Sequence, residues 1–365
     1  MKAKSEIENI KKIKDIGKEI YLDIISNKQP KISIPLRSLQ NVAYNKEKGY
    51  FEIRGIKKNR TLTASTSKTF AQTLKMMGLS KMLIETNDIA TKRDVYYQSK
   101  NWSEARFEEQ PESDTIMDDI EAMIGVNREQ LGFIPDERGG AIAGELKIID
   151  KDIATSEEIV INCAKMGSGG YSIPSSVEHL KFETKADFIL AIETDGMYER
   201  LVRHAFWKKF NCILISLGGV PTRACRRFIR KLSDEFNLPV YVFCDCDCYA
   251  FLNIYRTLKV GSGNAAHINK FFCVPQAKFI GITPKDIIDY KLPTHPLKEV
   301  DIKRIQDGLK NDPFVKAYPE WQQALKLQLE MRKRAEQQAL ARWGLNYVIS
   351  DYLPEKLANP KSWLP

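Results

Sequence analysis

The side chains of this chain best suited to chemistry fall in two stretches. The first is Thr91-Lys-Arg-Asp-Val-Tyr-Tyr-Gln-Ser-Lys100. Thr91 with Asp94 three positions on is the pattern of a helix N-cap and its reciprocal acid, which predicts that a helix begins here. Four-residue spacing then puts Arg93 and Tyr97 on one face, one turn apart. A phenol ionises near pH ~10, so it becomes a useful nucleophile only where positive charge favours its deprotonated form. Arg93 is placed to supply that charge to Tyr97. The same ten residues also fit a tyrosine pair, Tyr96 and Tyr97, packed half into a core beside a solvated basic face.

The second stretch alternates short apolar runs with helical ones. Residues 186–192 are apolar and end in Glu193, and a helical pattern follows over 195–210. Next come the apolar 212–216, a Gly218-Gly219 turn, a basic helix over 221–236, and the run Val240-Tyr-Val-Phe-Cys-Asp-Cys-Asp247, with helix again to about residue 258. Buried strands alternating with helices predict a parallel sheet, whose ligands sit at the carboxyl ends of the strands. Glu193, Asp245 and Asp247 occupy those ends. Residues two apart on a strand share a face, so both aspartates point one way and Cys244, Cys246 and Cys248 the other. Three convergent carboxylates suit hard, oxygen-seeking Mg2+ better than a soft metal.

A glutamate after one strand and an Asp-x-Asp after a later strand of a parallel sheet resembles the Toprim domain of topoisomerases, primases and some nucleases. Preceded by Arg-Asp-Val-Tyr-Tyr, the pattern resembles the A subunits of topoisomerase VI, the type IIB DNA topoisomerases of archaea, and the related meiotic double-strand-break transesterase. The likeness extends to Ile34-Pro-Leu-Arg-Ser-Leu-Gln-Asn-Val-Ala-Tyr44, Glu137-Arg-Gly-Gly-Ala-Ile-Ala-Gly144, Ile173-Pro-Ser-Ser-Val-Glu178 and Tyr352-Leu-Pro-Glu-Lys-Leu357. It departs from the family at Ser216-Leu-Gly-Gly-Val-Pro221, where a lysine is usual in a Gly-rich turn, and at Cys248-Tyr-Ala250, where Pro-Tyr-Gly is usual.

The resemblance implies a multidomain α/β and α+β protein with a winged-helix (CAP-like) domain followed by a Toprim domain with a parallel sheet. It implies Tyr97 as nucleophile, by the motif Arg-x-x-x-Tyr, with Arg93 beside it, and Glu193, Asp245 and Asp247 as ligands of Mg2+. The partners implied are double-stranded DNA, a second copy of the chain, and a GHKL-type ATPase B subunit in an A2B2 heterotetramer. The implied activity is ATP-dependent relaxation and decatenation through transient double-strand breaks with 5'-phosphotyrosyl links. A Toprim-type metal-dependent DNA hydrolase and a non-catalytic winged-helix DNA-binding protein are the alternatives, and a transesterase that never reseals is a third.

Composition agrees with a polyanionic partner. The 365 residues carry a net charge of +9, which favours nucleic acid or an acidic membrane surface. No apolar stretch approaches the roughly 20 residues that span a bilayer, and the charged start lacks a signal-peptide core. A cytoplasmic, nucleoid-associated protein is expected, with its seven cysteines as reduced thiols. No Gly-x-x-x-x-Gly-Lys-[Ser/Thr] loop is present, so no nucleotide site is expected on this chain. His179, His204, His267 and His295 share no ligand spacing.

In chain order, residues 1–64 are expected to form an N-terminal helix and strand segment. Ile7, Ile10, Ile13, Ile16, Ile20 and Ile24 make one apolar stripe, packed on its own domain or, as the resemblance implies, docking the B subunit. Arg54, Lys57, Lys58 and Arg60 form a basic cluster. Residues 65–150 are expected to be the winged-helix domain: a helix marked by Phe70, Leu74 and Met77, another over 79–84, the tyrosine helix, one carrying Ile116 to Ile124, and a two-stranded wing over 131–134 and 141–149. Residues 151–185 read as an interdomain join, and 186–365 as the Toprim domain with a helical extension whose longest helix spans about 320–342.

Overall fold

A computed structural model describes residues 4–167 and 169–365, and the chain divides into two units. The first comprises residues up to 43, 51–137 and 262–271; the second comprises 44–50, 138–261 and 272–365.

In the first unit the helices are α1 (Lys4–Ile25), α2 (Ser67–Thr86), α3 (Lys92–Ser99) and α4 (Gln110–Ile124). They enclose an apolar core that includes Ile13, Met77, Leu83, Val95, Met117 and Phe133. Within the N-terminal stripe, Ile10, Ile13 and Ile20 are buried and Ile16 packs against the same core. Ile7 and Ile24 stay exposed, with Tyr21, Leu22 and Ile25 beside them. The N-terminal segment is therefore part of this unit, not a body of its own. Strand β1 (Lys31–Pro35) pairs antiparallel with β2 (Lys57–Thr61). Arg37 and Arg60 both clasp Asp119 of α4, at 2.9 and 2.7 Å. These two cations tie the β1–β2 region to α4; Lys57 and Lys58 remain exposed.

Two expectations for this region change. The helices expected around 70–77 and 79–84 are one, α2, because Gly78 lies on an open face with nothing near its missing Cβ and costs only about 1 kcal/mol there. The wing does not form from the two runs chosen for it. Instead β3 (Ala90–Thr91) pairs parallel with β4 (Phe133–Ile134), while β5 (Ala141–Gly144) joins the sheet of the second unit. Gly139 and Gly140, which read as a hairpin turn, serve close packing. A Cβ on Gly140 would lie 1.6 Å from the Ser216 carbonyl oxygen, and one on Gly139 2.5 Å from Ile173 Cβ.

The second unit is built on a six-stranded sheet. After β5 come β6 (Lys147–Lys151), β7 (Glu158–Asn162), β8 (Tyr171–Ser172), β9 (Lys181–Glu183) and β10 (Phe188–Ile192). Then follow α5 (Asp195–Arg203), β11 (Cys212–Ser216), α6 (Arg223–Phe236), β12 (Val240–Phe243) and β13 (Lys278–Gly281). The sheet order is β8-β5-β11-β10-β12-β13. The four strands β11, β10, β12 and β13 are parallel, and β5 and β8 extend the sheet antiparallel at the β11 edge. Both central strands, β10 and β11, are buried at every residue, the mark of a sheet covered on both faces. The stretch expected as a join, 151–185, contributes strands: β7 and β9 join β6 in a separate three-stranded antiparallel sheet. Its strands are short and half-exposed, so they carry little apolar alternation.

The long C-terminal helix also differs from expectation. α7 runs from Pro319 to Met331 and stops at Arg332, which adopts a left-handed conformation (φ 52°). Beyond it β15 (Lys333–Arg334) pairs with β14 (His295–Pro296). Residues 332–342 are good helix formers, but backbone pairing to distant segments overrides that propensity over 333–335, and a 3-10 helix resumes over Gln337–Trp343.

Candidate active site

The tyrosine helix is capped as its sequence predicts. The Thr91 hydroxyl accepts from the Asp94 amide and the Asp94 carboxylate accepts from the Thr91 amide. Those hydrogen bonds hold the Asp94 carboxyl below its usual range. Val95 and Ser99 face the core, which turns Arg93 and Tyr97 outward. The two tyrosines, alike in the sequence, are separated by their surroundings. Tyr96 donates its hydroxyl to the Glu108 carbonyl at 2.9 Å and lies under the Lys100 ammonium, 4.2 Å from the ring centre. Tyr97 is 61% exposed, and no described residue hydrogen-bonds to its hydroxyl. One phenol is engaged in structure; the other is available.

The carboxylates gather in the second unit. Glu193 follows β10 directly, and its backbone is pinned on both sides: its amide donates to Phe243 at 3.0 Å and its carbonyl accepts from Gly219 at 2.9 Å. Gly218 and Gly219, both at positive φ, let the turn after β11 fold back that tightly. The unusual Ser216 of that turn is buried and donates its hydroxyl to Asp195. The Glu193 carboxylate accepts from the Asp245 amide at 2.8 Å. Asp245 accepts from the Gln337 amide at 2.8 Å, and Asp247 accepts from the Ala250 amide at 2.8 Å, capping the helical turn that follows.

Strand β12 itself ends at Phe243, before the aspartates. The alternation expected beyond it survives because the extended chain finds a new neighbour: Cys246 exchanges two backbone hydrogen bonds with Ala335. Cys244, Cys246 and Cys248 are buried while Asp245 and Asp247 are partly exposed. All seven cysteines are free and buried.

The electrostatics show what the cluster lacks. Burial, then repulsion from Asp245, pushes the Glu193 carboxyl up to about 7. Burial pushes Asp245 up to about 6, against the pull of the Gln337 amide. Carboxylates raised this far are short of positive charge, and a hard dication supplies it. The donor set, all oxygen, fits such an ion. These three do not draw their ligand atoms as close together as Asp118, Glu121 and His267, the group among the described residues whose ligand atoms all lie within 4.8 Å. That tighter group is nonetheless an ion-pair staple. Arg128 contacts Asp118 at 2.6 Å and Glu121 at 2.9 Å, and Arg37 contacts Asp118 at 3.1 Å, so both carboxylates of the group already have guanidinium partners.

Several residues of this site carried no signal in the sequence. Gln337, fully buried, donates its side-chain amide to the Phe243 carbonyl at 2.9 Å and accepts from the Thr194 hydroxyl at 2.9 Å. It thereby ties the Glu193 loop to the Asp245 loop. Its run, Glu336-Gln337-Gln338-Ala339-Leu340, reads as helix and nothing more.

Comparison with known proteins bears on both stretches. Residues 188–357 match the family described as the Toprim domain of the topoisomerase 6 A subunit and Spo11, residues 68–133 match type IIB DNA topoisomerase, and residues 136–186 match the all-beta domain of the DNA topoisomerase VI alpha subunit. The A subunit of type 2 DNA topoisomerase 6 from Methanocaldococcus jannaschii is 56% identical over 354 residues, covering 97% of this chain and 95% of that protein. The chain belongs to the family of topoisomerase 6 A subunits. Relatives of the same name from Methanothermobacter thermautotrophicus and Archaeoglobus fulgidus are 35% and 37% identical over 350 and 348 residues, covering 95% and 94% of this chain and 96% and 95% of theirs. The Toprim match contains Glu193, Asp245 and Asp247, and a Toprim domain implies a divalent metal. The all-beta match coincides with the three-stranded sheet that the sequence did not announce. No helix among the described residues is long and apolar enough to cross a membrane.

Proposed function

We propose that Tyr97 is the nucleophile and that Glu193, Asp245 and Asp247 hold Mg2+ in a DNA transesterification. The chain is the DNA-cleaving subunit of a type IIB topoisomerase. In the reaction the Tyr97 phenolic oxygen attacks a backbone phosphorus. The new P–O bond makes a 5'-phosphotyrosyl link, the bond to the 3'-oxygen breaks, and that oxygen takes up a proton. One phosphodiester replaces another, so the break can be resealed without a high-energy donor. Arg93, one turn from Tyr97, favours the phenolate or the charge building on phosphorus. When bound, Mg2+ supplies positive charge to the phosphate oxygens and the leaving 3'-oxygen. Glu193 and Asp245 hold their place for it through the Asp245 and Gln337 amides.

The observation that carries this reading is the half-buried pair of carboxylates, Glu193 and Asp245, both pushed above their usual range at the carboxyl ends of parallel strands, inside the Toprim-matching stretch. The exposed Tyr97, beside a Tyr96 whose hydroxyl is engaged, supports the choice of nucleophile. We assign the helical region around α3 to a winged-helix (CAP-like) role in placing Tyr97 on DNA. Cutting a duplex needs two nucleophiles and two metal sites, which a homodimer supplies. A GHKL-type ATPase B subunit in an A2B2 assembly would couple ATP to gate opening, and the exposed apolar residues of α1 offer it a docking surface.

The test is covalent capture. Chain and ATPase partner are incubated with supercoiled plasmid, Mg2+ and a non-hydrolysable ATP analogue, then stopped with detergent. Protein attached to 5' ends, lost with Tyr97→Phe and kept with Tyr96→Phe, is the expected result. Cleaved DNA with free 5' ends would overturn it in favour of a metal-dependent hydrolase.

A further inference from the structure

We infer that Arg334 is the phosphate-contacting cation of the carboxylate site, a role that rests on the transesterase reading above. Its position is set by backbone. Arg334 pairs with His295 in the two-stranded ribbon of β14 and β15. Its neighbour Ala335 donates to the Cys246 carbonyl at 3.2 Å and accepts from the Cys246 amide at 2.8 Å. The buried Gln328 side chain adds a hydrogen bond to the same carbonyl at 3.1 Å, and the Gln337 amide holds Asp245. With Ala335 locked opposite Cys246, Arg334 falls opposite Asp247.

The guanidinium so placed is not used up by the protein. Its Nη1 stops 3.9 Å from the Asp247 carboxylate, and its Nε is buried with no hydrogen-bond partner. Arg227, in the same unit, shows what a committed arginine looks like: it grips Glu178 with two hydrogen bonds of 2.6 and 2.9 Å. An arginine this loosely paired with Asp247 that still leaves a buried N–H unpaired is short of an acceptor. The side chain is still 25% exposed, and from that side a phosphodiester can approach the guanidinium, whose fork its two non-bridging oxygens match. The turn after β11 offers no substitute. It reads Ser216-Leu-Gly-Gly-Val-Pro221, without a lysine, and its backbone is occupied in holding Glu193.

The experiment compares Arg334→Met and Arg334→Lys with the wild-type chain, each assembled with its ATPase partner. It measures the single-turnover rate of 5'-linked cleavage at saturating DNA, the DNA concentration for half-saturation, and the melting shift caused by Mg2+ without DNA. A lost contact to the reacting phosphate predicts a cleavage rate about a hundredfold lower for Arg334→Met. DNA affinity should be little changed, Arg334→Lys should recover part of the rate, and the Mg2+ shift should persist. Wild-type cleavage by Arg334→Met, or loss of the Mg2+ shift together with cleavage, would overturn the assignment, the latter because the residue would then only position Asp247. Absence of any 5'-linked product with the wild-type chain would overturn the transesterase reading itself.

Discussion

Replacing Glu193 by glutamine should stabilise the metal-free protein at neutral and alkaline pH while abolishing cleavage. The Glu193 carboxyl rises from 4.5 to about 7 in the folded state, first through burial and then through repulsion from Asp245. A carboxyl whose folded value lies above its unfolded value keeps a proton in the native state that the unfolded chain has released. Stability is thus fully present below about pH 4.5 and declines as pH rises to about 7. Over that interval the penalty amounts to about 3–4 kcal/mol, from a rise of about 2.5 pK units at about 1.4 kcal/mol each. Glutamine keeps an oxygen to accept from the Asp245 amide but carries no charge. Urea unfolding in EDTA at pH 8 should show Glu193→Gln more stable by about 3–4 kcal/mol, with a difference under about 1 kcal/mol at pH 5. Added Mg2+ should raise the wild-type midpoint at pH 8 and leave the variant nearly unmoved. A variant no more stable than wild type at pH 8 would refute the argument that this carboxylate is held against its own electrostatics for a cation.

Tyr96→Phe should cost about 1 kcal/mol, the usual worth of its hydrogen bond to Glu108, and Tyr97→Phe almost nothing; thermal melts of the two variants alone separate the phenol used in structure from the one left free. Gly140→Ala would drive a Cβ to within 1.6 Å of the Ser216 oxygen, at the root of the turn that pins Glu193. It should lower stability by more than about 3 kcal/mol, or leave the protein insoluble, as read from soluble yield and urea midpoint. Arg128→Met removes the guanidinium paired with the fully buried Glu121 carboxylate and should destabilise the first unit by about 3–5 kcal/mol. Urea unfolding measures that loss, and a fall of less than about 1 kcal/mol would show that Asp118, Glu121 and His267 do not depend on arginine for their charge balance.

Legibility varied with how local the cause was. The cap at Thr91 and Asp94, the burial of β10 and β11, and the placing of Glu193 just past a strand followed from spacing and composition. The same local reasoning failed wherever a distant backbone was the partner. Gly139 and Gly140 looked like a turn, because a glycine needed for close approach and one needed for positive φ are the same letter. Residues 332–342 looked helical, because nothing in Arg332 announces a left-handed stop and nothing in Ala335 announces Cys246. Residues 151–185 looked like a join, because a half-exposed three-stranded sheet has no clean alternation to read.

The sequence by itself determined the chemical inventory: one arginine-flanked tyrosine on a capped helix, and three carboxylates at the ends of buried parallel strands. Side-chain spacing sets which groups share a face, and that is local. Only the tertiary structure decided which tyrosine is engaged, which amides hold the carboxylates, and which guanidinium stands beside them with a donor to spare. Those outcomes depend on hydrogen bonds between segments far apart in the chain, such as the Gln337 amide to the Asp245 carboxylate and the Ala335 amide to the Cys246 carbonyl, and a backbone amide donates whatever side chain its own residue carries.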